Sequence, residues 1–288
     1  MARKGESKKP LLGLVMIVKN EAEQLERCLD SILPILGAWT ICDTGSDDDT
    51  REVVVEKLGH LPGRLYEHKW RDFGRNLTLA HARAKGTARW LLWMHADMTA
   101  EYQPNVVKDL TKIPRWIHGL EVFVRHQNLL YRLPLLMRGE YAWRYEFPTH
   151  EYLVTDGHAF IPYDGLGVCH HIDGSNRSEK YERDLALLGP LFRKQDPRAV
   201  FYVAETHRFA GNIEAAVATY DLRASLNGWD EERWYARYQS AKLRGDIEGL
   251  FEVWRERPYR HEPLTAAARI IGQVPAHQID MLFLEPPP

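Results

Sequence analysis

The first hundred residues alternate between short apolar runs and amphipathic segments, and this alternation constrains the fold more than any other feature. The continuous apolar run of residues 11–18 is typical of a strand that is buried on both faces of a parallel sheet. Further strand-like runs cover residues 38–42, 64–68 and 89–94, with helical patterns between them. Strands and helices in strict alternation, joined by short connections, predict an α/β fold with a doubly wound, mostly parallel sheet.

Polar side chains follow three of these strands at the point where each strand ends. They lie at residues 20–21, at residues 43–49 and at residues 95–97. Ligands of doubly wound sheets bind beyond the carboxyl ends of the strands. The three polar clusters therefore predict one cleft at that edge of the sheet.

The pattern changes in the second half of the chain. From about residue 116 strand-like pieces alternate with aromatic-rich loops, and after residue 171 the chain turns helical. Residues 210–216 and 244–250 align at a shift of 34 residues, which is the tetratricopeptide period. Convergence of two amphipathic hairpins on a similar turn is the alternative.

Together these patterns predict three regions. Residues 1–10 form a basic, disordered tail, residues 11–178 form the sheet domain, and residues 179–288 form a tetratricopeptide-like helical region.

Composition excludes several classes of protein. The formal net charge is −2, so a nucleic-acid partner is not expected. The three cysteines are scattered and form no Cys-x-x-Cys pair, which indicates a reduced, cytoplasmic protein without a zinc site. No apolar stretch approaches the ~20 residues of a membrane helix, so no integral membrane segment is expected. Glycine-rich dinucleotide-binding and P-loop motifs are also absent.

Five short motifs occur in order along the chain. They are VKNE at 18–21, DTGSDDDT at 43–50, FGRN at 73–76, WMHAD at 93–97 and THE at 149–151. Their order and spacing resemble the family 2 glycosyltransferases of the GT-A fold, in the subgroup often followed by tetratricopeptide repeats. The resemblance covers roughly residues 11–188. It implies an inverting, metal-assisted glycosyltransferase that moves a sugar from a nucleotide-diphosphate donor to an acceptor nucleophile.

The resemblance also implies which residues bind the donor. They are Asn20, Glu21, Asp43, Asp48, Arg75, His95 and Asp97. Asp97 matches the second Asp of the family's Asp-x-Asp motif, which holds a divalent cation, Mn²⁺ or Mg²⁺, while His95 replaces the first Asp. Capping of the next helix is the alternative role for residues 47–49. A UDP-sugar is favoured over a GDP-sugar as donor.

A histidine after the last strand supplies a further metal contact in the family. Adjacent strand residues face opposite ways, so one of His170 and His171 is expected to contact the metal, and the sequence leaves the choice open. The polar loop at residues 173–178 is either a lid over the donor or an ordinary linker.

Glu151 matches the position of the general base that deprotonates the acceptor, with a positioning role as the alternative. Residues predicted to bind the acceptor or its sugar are Arg138, Glu140, Trp143 and His150, with core packing as the alternative for Trp143. The acceptor is a polypeptide or a glycan.

Two other classes of function compete with this hypothesis. A nucleotidyltransferase on a related sheet would attack the α-phosphate, although the KNE turn is a poor match for its glycine-rich loop. A catalytically weak binding module would act through its helical repeats, and His95 at the metal motif keeps this alternative open. The helical region could equally mediate homo-oligomer formation.

Overall fold

A computed structural model describes residues 9–171 and 180–272, and the chain divides into two compact units, Met1–Ser178 and Glu179–Pro288. The first unit holds the sheet and the second is helical, so the predicted α/β fold followed by a helical region is confirmed. Most of the basic tail and the loop at residues 173–178 lie outside the described residues.

The first unit is built from ten strands, four α-helices and one short 3-10 helix, Leu33–Ile35, among the described residues. The strands are β1 (Leu12–Val18), β2 (Ala38–Asp43), β3 (Gly63–Glu67), β4 (Trp90–Trp93), β5 (Met98–Tyr102), β6 (Gly119–His126), β7 (Leu129–Arg138), β8 (Tyr145–Glu146), β9 (Tyr152–Leu153) and β10 (Phe160–His170). The helices are α1 (Ala22–Ile32), α2 (Thr50–Leu58), α3 (Phe73–Ala84) and α4 (Val106–Lys112).

Eight strands form one sheet in the order β3-β2-β1-β4-β7-β6-β10-β5. The pairs β3–β2, β2–β1, β1–β4 and β6–β10 are parallel, whereas β7 runs antiparallel to both of its neighbours and β5 runs antiparallel to β10. Every residue of β1, β2 and β4 is buried, as their continuous apolar sequences predict. Each buried Leu or Ile side chain stabilises this core by about 1.5–3 kcal/mol relative to an exposed one.

The segment after β7 returns along α3 to the carboxyl edge of the parallel strands. β7 ends where β4 begins, because Arg138 pairs with Trp90. From there the chain contacts α3 in reverse order. The backbone N–H of Gly86, just beyond α3, donates to Gly139 O at 2.7 Å, and that of Phe73, at the start of α3, donates to Pro148 O at 2.9 Å. Residues 149–151 therefore lie near the start of α3.

The second unit contains six helices among its described residues. They are α5 (Lys180–Phe192), α6 (Pro197–Phe209), α7 (Ile213–Ser225), α8 (Asp230–Arg244), α9 (Ile247–Glu256) and α10 (Glu262–Ile271). The turns between α6 and α7 and between α8 and α9 each contain a left-handed glycine, Gly211 with φ 80° and Gly245 with φ 69°. The two hairpins therefore reproduce the 34-residue register of the sequence. No helix in the described part of the chain is long and apolar enough to span a membrane.

Candidate functional site

Asp43, the last residue of β2, is a buried carboxylate at the carboxyl edge of the sheet. Its Oδ1 atom accepts hydrogen bonds from the backbone N–H groups of Gly45 and Ser46, both at 2.9 Å. Its Oδ2 atom is buried and has no hydrogen-bond partner among residues 9–171 and 180–272. A buried polar atom without a partner is costly, so Oδ2 favours the approach of a hydrogen-bond donor from a ligand.

The turn after β1 is hydrogen-bonded to the loop after β2. The backbone N–H of Asn20 donates to Ser46 Oγ at 3.0 Å, and the side-chain oxygen of Asn20 accepts from the backbone N–H of Asp47 at 2.9 Å. The backbone N–H of Glu21 donates to Thr50 Oγ1 at 2.8 Å. Asn20 has φ 54°, a left-handed conformation that Asn tolerates better than most residues. These contacts place Asn20 and Glu21 beside the loop that follows Asp43.

Asp48 uses both of its carboxylate oxygens inside the protein. Oδ2 accepts from the backbone N–H of Ala22 at 3.2 Å, and Oδ1 accepts from the backbone N–H of Thr50 at 3.0 Å and from its hydroxyl at 2.5 Å. Burial raises the pKa of Asp48, but these hydrogen bonds outweigh burial and lower the pKa below its usual value. The contacts join the first residues of α1 and α2, so they fit a structural role at the start of α2 better than direct donor binding, although the residue at the N-cap position of α2 is Asp49.

Asp97 and His170 form a carboxylate–imidazole pair at the same edge. Asp97 Oδ2 lies 3.1 Å from His170 Nε2. Burial raises the pKa of Asp97, but the hydrogen bond and charge of His170 outweigh it and lower the pKa, so the carboxylate is charged at neutral pH. His171 turns to a different partner, since its Nε2 lies 2.9 Å from Thr99 Oγ1. The backbone N–H of His171 donates to Asp97 O at 2.8 Å, but of the two adjacent side chains it is that of His170 that contacts the Asp97 carboxylate.

Two further histidines surround this pair. The ring of His95 packs edge-on against Trp93 with centroids 4.8 Å apart, and burial lowers its pKa, so the ring is neutral at neutral pH. The ring of His126 stacks on that of His170 at 4.8 Å. Sequence reasoning missed His126 because its position depends on the pairing of β6 with β10, which no local pattern reveals.

Arg75 lies in the first turn of α3. Its backbone N–H donates to the Oδ1 atom of Asp72, the capping residue, at 2.7 Å. Its guanidinium is 73% exposed and its Nε lies 3.4 Å from Asp72 Oδ2. Asn76 is buried and its side-chain oxygen accepts from the backbone N–H of Arg71 at 3.0 Å, so Asn76 stabilises the loop before α3.

Glu151 follows a tightly constrained stretch of backbone. Phe147 and His150 adopt left-handed conformations with φ 82° and 54°. Gly74 of α3 lies against this stretch so closely that a Cβ atom there would meet Phe147 O at 2.4 Å. Glu151 is half-buried, and its charge contributes to a raised pKa of Tyr145, after the larger effect of burial. Glu151 and Tyr145 therefore lie near each other.

Comparison with known proteins adds to this geometry. Residues 14–115 match the family model described as glycosyl transferase family 2. This segment belongs to glycosyl transferase family 2. The resemblance that the five sequence motifs indicate is confirmed for the segment, which contains the three strand ends with Asp43 and Asp97.

A TPR repeat-containing protein of Synechococcus elongatus is 35% identical over 89 residues. The match covers 30% of this chain and only 20% of that relative. Among solved structures, glucosyl-3-phosphoglycerate synthase of Mycobacterium tuberculosis with Mn²⁺, UDP and glucosyl-3-phosphoglycerate is 18% identical, with a TM-score of 0.32. The match covers 43% of this chain and 50% of that one. The same enzyme with phosphoglyceric acid is 20% identical, with a TM-score of 0.32, over 40% of this chain and 44% of that one.

Arg138, predicted to bind the acceptor, lies in the core of the unit that contains the family 2 domain. It is only 3% exposed. Its guanidinium donates to the carbonyl oxygens of Ile113, Pro114 and Ile117 at 2.8–3.0 Å and lies 3.9 Å over the ring of Trp90. We therefore correct the expectation and assign Arg138 a structural role in holding the chain after α4.

The expectation that Trp143 and Glu140 bind the acceptor is corrected as well. Trp143 is 2% exposed and its Nε1–H donates to Arg138 O at 2.8 Å, so it packs in the core, as the alternative held. Glu140 is exposed but follows the end of β7, at the edge opposite Asp97, because β7 is antiparallel to β4. Of the four predicted acceptor residues, His150 is the one near the candidate site.

Asp97 and His170 can together supply protein ligands to a divalent cation whose remaining ligands come from a bound phosphate. No cluster of three or more His, Cys, Asp or Glu side chains suited to a metal occurs in the described parts of the chain. Mg²⁺ is usually bound by one or two carboxylates together with substrate phosphates rather than by an all-protein cage. A charged carboxylate beside an imidazole meets that requirement, and the imidazole also suits a softer ion.

Proposed function

We propose that this protein is an inverting glycosyltransferase that transfers a sugar from a nucleotide-diphosphate donor to an acceptor nucleophile, with the help of a divalent cation. The observation that carries the proposal is the Asp97–His170 pair, which lies at the carboxyl edge of a sheet whose segment 14–115 belongs to glycosyl transferase family 2. A charged carboxylate at this edge is what a diphosphate-binding cation needs.

The turns after β1 and β2 are proposed to bind the nucleoside. Asp43 supports this role, because its Oδ2 atom is buried without a partner in the described residues and can accept from a base N–H or a ribose hydroxyl. Uracil N3–H is one such donor, and we propose a UDP-sugar as the donor substrate. Asn20 and Glu21 are fixed beside this loop by backbone hydrogen bonds.

Asp97 and His170 are proposed to hold the cation, Mn²⁺ or Mg²⁺. The cation would neutralise the negative charge that develops on the departing nucleoside diphosphate. Arg75 adds a positive charge at the start of α3, where the helix dipole also favours an anion. His95 stands where the family motif has a carboxylate, and its imidazole adds no negative charge opposite the diphosphate.

Glu151 is proposed as the general base. Its carboxylate would take the proton from the acceptor nucleophile as the nucleophile attacks the anomeric carbon, while the bond from that carbon to the diphosphate oxygen breaks and the configuration inverts. His150 would contact the acceptor, which we propose to be a polypeptide or a glycan. The helical unit is proposed to contact the acceptor or a second copy of the chain.

Three amide substitutions test this assignment. Purified protein is incubated with a panel of UDP- and GDP-sugars and Mn²⁺, and release of nucleoside diphosphate is measured together with donor binding by calorimetry. Asp97→Asn should lose metal-dependent donor binding. Glu151→Gln should bind donor normally and lose transfer. Glu140→Gln, the matched control at the opposite edge, should do neither.

Each other outcome has a definite meaning. Formation of nucleoside triphosphate and sugar 1-phosphate when pyrophosphate is added, instead of release of nucleoside diphosphate, would identify a nucleotidyltransferase. Neither turnover nor donor binding with any sugar nucleotide would refute both enzymatic hypotheses. Normal transfer by Glu151→Gln would show that Glu151 is not the base.

A further inference from the structure

The proposed mechanism leaves one buried polar pair without a role. His81 of α3 is fully buried, and its Nε2 atom lies 3.2 Å from the hydroxyl oxygen of Tyr145, with ring centroids 5.2 Å apart. Its other ring nitrogen, Nδ1, is buried without a hydrogen-bond partner in the part of the chain that the structure describes. Burial lowers the pKa of His81 to about 3, so the ring is neutral. Among the described residues, the hydrogen bond with Tyr145 is thus the one that the His81 ring makes.

Thr78 holds the backbone of the same tyrosine. The N–H of Tyr145 donates to Thr78 Oγ1 at 2.8 Å, and the hydroxyl of Thr78 donates to Tyr145 O at 3.3 Å. Thr78 and His81 are three residues apart on α3, so they lie on one face of the helix. Together they fix the backbone N–H, the backbone carbonyl and the side-chain hydroxyl of Tyr145.

The chain between Tyr145 and Glu151 needs such an anchor. Phe147 and His150 both adopt the left-handed conformation, which costs free energy for any residue with a side chain. Such conformations persist only where the surrounding structure determines them more than once. Gly74 provides one constraint by its close approach to Phe147 O, and the contacts of Tyr145 provide another.

Tyr145 also lies near enough to Glu151 for the charge of Glu151 to affect its pKa. Burial, and then the charge of Glu151, raise the pKa of Tyr145 well above its usual value. The phenol therefore stays a neutral hydroxyl at neutral pH.

We propose that Tyr145, held by Thr78 and His81, is a positioning residue that fixes the segment carrying Glu151. This inference rests on the proposed function, in which Glu151 is the general base. It assigns a catalytic consequence to hydrogen bonds that lie in the core.

Four variants test the inference. Tyr145→Phe and Thr78→Val remove one hydroxyl each and keep the shape, while Thr78→Ser keeps the hydroxyl. Tyr220→Phe is the matched control, because Tyr220 is also buried and its hydroxyl is hydrogen-bonded to Glu205 and Arg208 of the helical unit. Transfer kinetics, donor binding by calorimetry, and hydrogen–deuterium exchange of residues 146–153 are measured for each.

Displacement of a catalytic group by about 1 Å can cost a hundredfold in rate. We therefore expect kcat of Tyr145→Phe and Thr78→Val to fall about tenfold to a hundredfold, with donor affinity unchanged and faster exchange over residues 146–153. Thr78→Ser and Tyr220→Phe should keep the wild-type kcat and exchange.

An active Tyr145→Phe variant with wild-type kcat and wild-type exchange would overturn the inference and leave the proposed function intact. Equal loss of donor affinity and of kcat would also overturn it, because that pattern indicates general unfolding. A wild-type protein that releases no nucleoside diphosphate would instead refute the proposed function, and the inference with it.

Discussion

The buried ion pair of the helical unit gives a prediction with a calculable size. Arg223 of α7 is completely buried, and its Nε and Nη2 atoms donate to Glu232 Oε2 of α8 at 3.2 and 3.1 Å. The guanidinium also donates to the carbonyl oxygens of Leu226 and Trp229, at 3.3 and 3.1 Å. Glu232→Gln keeps the shape and one acceptor oxygen but removes the charge that balances Arg223.

The expected loss of stability follows from the geometry. Two unit charges about 3 Å apart attract each other by about 5 kcal/mol at an effective dielectric constant of about 20. Removal of one partner from a buried pair costs about 3–5 kcal/mol, because the other charge stays buried. The ion pair of Arg198, whose Nη1 lies 3.7 Å from Glu232 Oε1, would be lost too. Since Gln keeps an acceptor, we expect about 3 kcal/mol.

An exposed pair provides the matched control. Arg237 of α8 and Glu256 of α9 form an ion pair between helices, with side chains 42% and 44% exposed. Glu256→Gln should therefore cost about 0.2–1 kcal/mol. In 1 M salt the effect of Glu256→Gln should shrink, whereas that of Glu232→Gln should persist, because salt screens exposed charges far more than buried ones.

Urea denaturation followed by circular dichroism measures both effects. With a denaturant slope of about 1–3 kcal/mol/M, Glu232→Gln should lower the urea midpoint of the helical unit by about 1–3 M. Equal shifts for Glu232→Gln and Glu256→Gln would refute the reasoning, since burial is what separates the two pairs.

Two further predictions concern the first unit. Because burial lowers the pKa of His81 to about 3, the unfolded chain binds a proton below about pH 6.5 that the folded chain does not. The free energy of unfolding should thus fall by up to about 1.4 kcal/mol per pH unit between pH 6.5 and 3 from this group. Denaturation at pH 7 and 4.5 should show a smaller fall for His81→Gln, and an equal fall would contradict the assignment. Arg138→Lys should cost about 1–3 kcal/mol of stability, because lysine cannot reproduce its hydrogen bonds to three carbonyl oxygens, with the acceptor KM unchanged. A changed KM at unchanged stability would contradict its structural role.

The parallel half of the sheet is predictable from the sequence almost to the residue. The apolar runs at residues 11–18 and 38–42 correspond to the strands Leu12–Val18 and Ala38–Asp43. These strands are buried on both faces, so their composition alone marks them. The polar ends of the same strands lie at the candidate site, because parallel strands carry their carboxyl ends to one edge.

The positions of the acceptor residues are not predictable in this way. Arg138 and Glu140 follow an apolar run like the others, but β7 runs antiparallel to β4 and carries them to the opposite edge. Strand direction depends on which strand is the neighbour, and local sequence does not specify that. The contact of His126 with His170 likewise arises from the pairing of β6 with β10. These two histidines are 44 residues apart in the sequence but lie opposite each other in the sheet.

The structure also changes which carboxylates account for the proposed cation. Summed over the sequence, the carboxylates at residues 43–49 and 97 would repel a diphosphate. In the folded chain Asp48 and one oxygen of Asp43 accept hydrogen bonds from backbone N–H groups and other protein donors, which balance much of their charge. Asp97 remains charged beside His170, and His95 is neutral. The proposed binding of a cation therefore rests on Asp97 rather than on the acidic loop, and Asp97→Asn should abolish metal-dependent donor binding while Asp47→Asn should not.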